Sequence, residues 1–128
     1  MMKRSLILVL SLLMLVLCIP ALAESADWNY DANYAILRGY DGAGGDVVVP
    51  AEIDGFTVDV IGVSVFKGDT ITSLTLPETV LELRSNAVSS CENLASVTLP
   101  QSLVVINRMN FFSCNTLSEV TIPAGRAL

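Results

Sequence analysis

The sequence predicts a β-rich solenoid, a short stack of similar coils that a β-hairpin closes at the N-terminal end. Two observations indicate this fold. The apolar residues of the C-terminal half recur with a period of 23 residues. Each repeat also contains a triplet that alternates apolar, polar and apolar residues, as a strand with one buried face does. Because a coil of this length is too short to enclose a core, it buries its apolar side only against the next coil.

The first 23 of the 128 residues are typical of an export signal. Lys3 and Arg4 form a positive start, residues 6–19 form an apolar run, and Ala21-Leu22-Ala23 offers a small-residue cleavage pattern. A helix of residues 6–19 would span about 21 Å, less than the roughly 30 Å of a bilayer core. We therefore expect a cleaved signal peptide, no membrane span after cleavage, and a mature chain that begins at Glu24.

The charge and composition of the remaining chain exclude several functions. It holds 13 acidic and five basic residues, so it lacks the basic surface that nucleic acids and anionic lipids require. The sequence contains no histidine, which excludes Ser-His and Cys-His nucleophilic sites and histidine-ligated metals. No cofactor is expected.

Residues 24–46 are predicted to form an N-terminal cap. The β-prone segment 34–40, a glycine-rich turn at 41–46 and a strand at 47–49 suggest a hairpin. Such a hairpin would cover the N-terminal edge of the stack, where an uncovered edge invites aggregation. The aromatic residues of the cap are expected to serve as hydrophobic covering rather than as a ligand site: Trp28, Tyr30, Tyr34 and Tyr40.

Residues 47–128 are predicted to form the repeats, the last of them incomplete. Each strand triplet is followed by a proline, which has no N–H and should end the strand pairing there. Strands of successive coils should lie about 4.8 Å apart in a parallel ladder. The triplets with their prolines are Val47-Val48-Val49-Pro50, Leu74-Thr75-Leu76-Pro77, Val97-Thr98-Leu99-Pro100 and Val120-Thr121-Ile122-Pro123.

Between the triplets, every apolar position is refilled one period later. The paired positions are Val80 and Leu103, Leu83 and Ile106, Val88 and Phe111, Cys91 and Cys114, and Leu94 and Leu117. The first unit is irregular: Ile61, Phe66 and Ile71 fill the same positions, but Asp69 replaces the cysteine. Residues 53–58 form an insertion with an Asp-Gly turn signal.

The repeated pattern L-x-L-P-x-x-L-x-x-I-x-x-x-A-F-x-x-C-x-x-L-x-x-V-x-I-P resembles the leucine-rich repeats of BspA-like bacterial surface proteins. Residues 29–61 are similar to the N-terminal start common in that family. Asn110 and Val88 depart from the pattern, which usually has alanine and phenylalanine there. The resemblance implies a secreted or cell-surface, non-catalytic module for protein binding or adhesion, with an extracellular protein of a host or neighbouring cell as partner. The alternative is a structural N-terminal piece of a longer surface protein with no binding role of its own.

The candidate binding residues are polar side chains that recur on the outward strand face. Thr75, Thr98 and Thr121 are each preceded two residues earlier by a further polar residue: Ser73, Ser96 and Glu119. Repeat proteins often bind partners on such an extended face. The alternative interpretation is that threonine is simply a favourable exposed strand residue.

The two cysteines of the mature chain have several interpretations. Cys91 and Cys114 cannot by themselves form a zinc site. Stacking at one position would put their Cα atoms about 5 Å apart, within the range of a disulfide. Their Cβ atoms would, however, also lie about 5 Å apart, which is too far for a disulfide, so we expect buried thiols that pack as small hydrophobic groups. A lipid anchor at Cys18 of the leader is disfavoured, because Leu17 precedes it.

The acidic residues suggest no metal or catalytic site. Residues 41–46 could form a calcium loop, but with two carboxylates and no repetition a plain turn is the preferred interpretation. No pair of carboxylates recurs as a glycosidase-like acid and base would. At the C-terminal end, Val120 to Pro123 begin a coil that is not completed. We therefore expect an exposed edge, which further repeats or a partner would cover.

Overall fold

The computed structural model describes residues 25–123. The predicted signal peptide, residues 1–23, lies outside the described residues. Within them, none of the helices is long and apolar enough to cross a membrane. A 3₁₀ turn at Ser25–Asp27 precedes eleven strands in the described range: β1 (Trp28–Asp31), β2 (Ile36–Tyr40), β3 (Gly45–Val48), β4 (Glu52–Ile53), β5 (Phe56–Thr57), β6 (Val60–Ile61), β7 (Ile71–Thr75), β8 (Glu82–Leu83), β9 (Ser96–Thr98), β10 (Val105–Ile106) and β11 (Glu119–Thr121).

Nine of these eleven strands form two sheets, and each coil contributes one strand to each sheet; β1 is the additional strand of the N-terminal hairpin. One sheet has the order β1-β2-β6-β8-β10, and the second has the order β11-β9-β7-β3. All pairings between coils are parallel. Residues 25–123 therefore contain four coils, and the predicted β-solenoid with its parallel ladder is confirmed.

The core lies between the two sheets. Of each strand triplet, the two apolar residues face inward: Leu74 and Leu76 are buried, as are Val97 and Leu99 one coil later. The amide of Leu76 donates to Thr98 O, and the amide of Leu99 donates to Thr121 O. These are the last bonds of the ladder before each proline, as expected for a residue that lacks an N–H.

The N-terminal hairpin exists, but its strands differ from the predicted ones. The expected partner of segment 34–40 was the strand at 47–49. Instead, β2 pairs antiparallel with β1 and parallel with β6, so the hairpin covers the end of the five-stranded sheet. β3 pairs with β7 and begins the four-stranded sheet. Residues 45–48 instead pair in parallel with β7 of the repeats. This long-range pairing replaces the local hairpin that the turn at 41–46 suggested.

The insertion in the first coil forms a small hairpin of β4 and β5. Asp54 and Gly55 connect the two strands, with φ angles of 52° and 84°. Two successive positive φ angles are characteristic of the tight hairpin turn that Asp-Gly favours. The predicted turn is therefore confirmed. Val58, which follows the hairpin, is fully buried and attaches the insertion to the core.

The last described coil is much more exposed than the coil before it. Leu83 is 0% exposed, whereas Ile106 at the same position is 50% exposed. Val120 and Ile122 are also exposed, although their counterparts Val97 and Leu99 are buried. The expected exposed edge is therefore present among the described residues, although Leu103 of the same coil is buried at 8% exposure.

Asn110, one of the two departures from the repeat pattern, forms hydrogen bonds to the preceding coil. Its Oδ1 accepts a hydrogen bond from the amide of Val88 at 3.1 Å. Its Nδ2 donates to Arg84 O at 3.0 Å and to Asn107 O at 2.9 Å. Because Val88 is fully buried, its amide depends on such a partner: an unpaired buried N–H is costly.

Replacement of Asn110 by alanine is therefore expected to lower the free energy of unfolding by about 1–3 kcal/mol, since it orphans a buried amide. Urea denaturation of the mature chain measures this change. The matched control is Asn115→Ala, a substitution in the same loop at an exposed position, which should alter stability by no more than about 0.5 kcal/mol. Equal stability of the two variants would contradict the role assigned to Asn110.

Candidate functional site

The structure brings the predicted surface residues together on the outward face of the four-stranded sheet. Parallel pairing aligns Ser73 with Ser96, and Ser96 with Glu119, in one column. It aligns Thr75, Thr98 and Thr121 in a second column. With strands about 4.8 Å apart, the columns form a regular array. We call this array the polar face.

Two residues of the first coil extend the polar face and were missed in the sequence. Asp46 pairs with Ser73 and heads the first column, while Val48 pairs with Thr75 and heads the second. Val48 is 67% exposed. The insertion in this coil breaks the period of 23, so counting along the chain does not find them. Their offsets from Pro50, four and two residues, are nevertheless those of Ser73 and Thr75 from Pro77.

The polar face has carboxylates at its two ends and hydroxyls between them. Asp46 accepts hydrogen bonds from Ser73 Oγ at 2.7 Å and from Thr72 Oγ1 at 3.4 Å. At the other end, Thr121 Oγ1 donates to Glu119 Oε1 at 3.3 Å. A hydroxyl both donates and accepts, so the middle of the face can bind polar groups of either kind. The acidic ends favour a partner with positive charge nearby.

The described residues show no arrangement for metal binding. In residues 25–123, no group of three or more Cys, Asp or Glu side chains is placed to hold an ion. The carboxylates of the 41–46 turn and those of the polar face do not form such a group. What the polar face offers chemically is repeated hydrogen bonding.

Comparison with protein families agrees with this geometry. A family model described as a BspA-type leucine-rich repeat region of six copies matches residues 52–126. The chain belongs to the BspA-type leucine-rich repeat family. The resemblance inferred from the repeat pattern is thereby confirmed. Comparisons with curated proteins and with solved structures gave no match.

In this BspA-type chain, the two stacked cysteines belong to the core. Cys91 and Cys114 are buried and are not joined by a disulfide. Cys91 Sγ lies 3.4 Å from Phe66 O and 3.5 Å from Ser89 O, both of which can accept from the thiol. Burial and, to a smaller extent, the nearby Cys114 together raise the pKa of Cys91 to about 12. Both residues are placed as the buried thiols that the sequence predicted.

The thiols are expected to react slowly in the native state, because a buried thiol of raised pKa forms little thiolate. Labelling of the mature chain at pH 8 with a thiol reagent should be slow, and after denaturation it should count two thiols per chain. A count of zero without reductant would show that a disulfide forms instead.

The stability of the mature chain should also depend on pH. Since unfolding lowers the pKa of Cys91 from about 12 towards 9.0, the wild type should lose stability relative to Cys91→Ala between those pH values.

Proposed function

We propose that this chain is a secreted or cell-surface leucine-rich repeat module that binds or adheres to an extracellular protein through the polar face, without catalysis. The register of the four-stranded sheet is the observation that supports this proposal most strongly. It converts residues 23 apart in sequence into two straight columns on one face. Leucine-rich repeat families use extended surfaces of this kind for protein contact.

The mechanism proposed is additive hydrogen bonding on a rigid scaffold. Within residues 25–123 the hydroxyls of Thr75, Ser96 and Thr98 have no hydrogen-bond partner, so they are available to an incoming chain. Each hydrogen bond contributes about 0.5–1.5 kcal/mol net, and several are needed for useful affinity. Because both sheets are packed on one core, little ordering of the scaffold is required on binding.

The arrangement of the polar face also supports a non-catalytic role. Its side chains repeat along straight columns, whereas an active site requires unlike groups that converge on one reacting atom. The repeat family is generally non-catalytic as well, which agrees with the absence of histidine from the sequence.

The exposed last coil favours a second candidate function, a structural role within a longer surface protein. Ile106, Val120 and Ile122 are apolar and exposed, and the next coil of a longer stack would cover them. Under this hypothesis the polar face has no partner of its own. The binding experiment described next distinguishes the two candidates.

Substitution of Thr98 by lysine is expected to weaken binding by at least about tenfold, since it places a bulky charged side chain at the centre of the proposed contact. The mature chain is immobilised, and the amounts of proteins it retains from an extracellular matrix extract are measured. Val104→Lys is the matched control: it introduces the same charge in the neighbouring segment, at a position 68% exposed and outside the polar face. If both variants retain the same proteins as the wild type, the polar face is not the binding surface.

Export is expected to yield a chain that begins at Glu24. The full sequence is expressed in a bacterium, and the secreted or surface-bound protein is subjected to N-terminal sequencing. The pattern Ala21-Leu22-Ala23 predicts cleavage directly after Ala23. A terminus at Met1 or at Cys18 would contradict the proposed processing.

A further inference from the structure

A concave site lies between the cap and the inserted hairpin, apart from the polar face. It is a cleft of about 400 Å³ between β1 and the β4–β5 hairpin. Two alanines, Ala26 and Ala32, form part of its rim. The side chains that give the cleft its chemistry are aromatic, acidic or amide: Trp28, Asn29, Tyr30, Asp41, Asp54 and Phe56.

The aromatic side chains of the cleft are held in place by their own contacts. Tyr30 and Phe56 stack with ring centroids 5.9 Å apart and planes 20° apart. Tyr30 Oη donates to Thr57 O at 2.9 Å, which fixes that ring on the hairpin. The ring centroids of Trp28 and Tyr40 lie 4.7 Å apart. Phe56 remains 48% exposed, although large aromatic side chains usually gain by burial.

The charge of the cleft is negative. Asp41 and Asp54 line it, whereas no lysine or arginine does. Arg38, the basic residue of the N-terminal hairpin, is instead paired with Asp31 at 2.7 Å. Among residues 25–123, neither Asp41 nor Asp54 has an ion pair.

Negative charge also lies near Tyr30 from two carboxylates outside the cleft lining. Its pKa is raised, first by burial and then by the carboxylates of Asp59 and Asp31. Asp59 Oδ1 is itself buried without a hydrogen-bond partner in the described chain. Aromatic faces attract cations, and the attraction increases where water is partly excluded.

We propose that this cleft binds an organic cation, an alkylammonium or guanidinium group, between the aromatic side chains and the carboxylates of Asp41 and Asp54. The carboxylates accept hydrogen bonds but cannot donate them, so the ligand must supply the donors or the positive charge. A neutral sugar fits less well, because its hydroxyls can donate to the two carboxylates but leave their charge uncompensated. The lining itself offers donors only from Trp28, Asn29 and Tyr30, and the Tyr30 hydroxyl is already engaged with Thr57. The site is independent of the proposed polar-face function.

The chain offers a direct readout of this cleft, because Trp28 is its only tryptophan. The mature chain is titrated with choline while tryptophan fluorescence is recorded. The matched neutral ligand is 3,3-dimethylbutan-1-ol, in which carbon replaces the charged nitrogen. We expect a saturable fluorescence change with choline and at least about tenfold weaker binding of the alcohol, consistent with the known strength of cation–π contacts. Equal responses to both ligands would overturn the proposal.

The same titration identifies the source of the cation. N-acetyl-lysine methylamide represents a side chain of a protein partner, and its neutral counterpart is N-acetyl-norleucine methylamide. Stronger binding of the lysine compound than of choline assigns the cleft to a basic peptide segment. Stronger binding of choline assigns it to a small quaternary ammonium compound. If neither cation is preferred over its neutral counterpart, the cleft is not a cation site.

Substitutions in the cleft test the assigned residues. Asp54→Asn preserves the hairpin turn, because asparagine also tolerates positive φ. It should weaken choline binding by about two- to fivefold, which corresponds to the interaction free energy of an exposed charge pair. Asp41→Asn should act similarly, and the double variant should lose about tenfold. Phe56→Leu tests the aromatic contribution while it keeps an apolar residue on β5.

The control is Asp69→Asn, an exposed acidic residue of the first repeat that is not part of the cleft lining. It removes one negative charge from the chain, so it accounts for the general electrostatic attraction of cations. Circular dichroism confirms that each variant is folded. If Asp69→Asn weakens choline binding as much as the double variant does, the effect arises from net charge and the proposal is wrong.

Discussion

Each coil of this protein can bury its apolar side only against a neighbouring coil, and the rest of the structure depends on that constraint. It requires every inward position to recur in register, as Leu83 and Ile106 do on β8 and β10. It also applies to the turns between strands. The amide of Ser64 donates to Asn86 O, and the amide of Asn86 donates to Arg108 O in the following coil. Backbone groups that the sheets leave unpaired are thus satisfied from coil to coil, as buried polar groups must be.

The parts of the fold that obey this constraint could be predicted from the sequence. The period of 23 and the prolines that end each triplet located β7, β9 and β11 and the two columns of the polar face. The first coil was predicted only in part. Its strand at 47–49 was recognised from Pro50, but the insertion displaces Asp46 and Val48 from the period, and they were not assigned to the two columns. The pairing of β2 was also misassigned. Its glycine-rich turn suggested a local hairpin with residues 47–49, whereas the choice between that hairpin and a parallel partner depends on long-range contacts.

The cleft between the cap and the inserted hairpin could not be predicted from the sequence either. Its acidic residues Asp41 and Asp54 belong to two turns, and its aromatic residues come from β1 and β5, so no single stretch of sequence contains the site. In the sequence the cap aromatics suggested hydrophobic covering. That interpretation is correct for Trp28 and Tyr40, which pack around Phe66. It is wrong for Tyr34, which is 69% exposed. Phe56 was not among those residues, and its place in the cleft depends on the inserted hairpin.

Residue-resolved hydrogen exchange of the mature chain tests most directly whether coverage by a neighbouring coil governs stability. The amide of Arg84 donates to Ile61 O at 3.0 Å, and the amide of Asn107 forms the equivalent bond to Leu83 O at 2.9 Å one coil later. The two hydrogen bonds have nearly the same length, but their surroundings differ. Leu83, beside Arg84, is buried, whereas Ile106, beside Asn107, is exposed. We predict exchange at least about tenfold faster at Asn107, because local opening is easier where few apolar contacts hold the backbone. Equal protection of the two amides would contradict it.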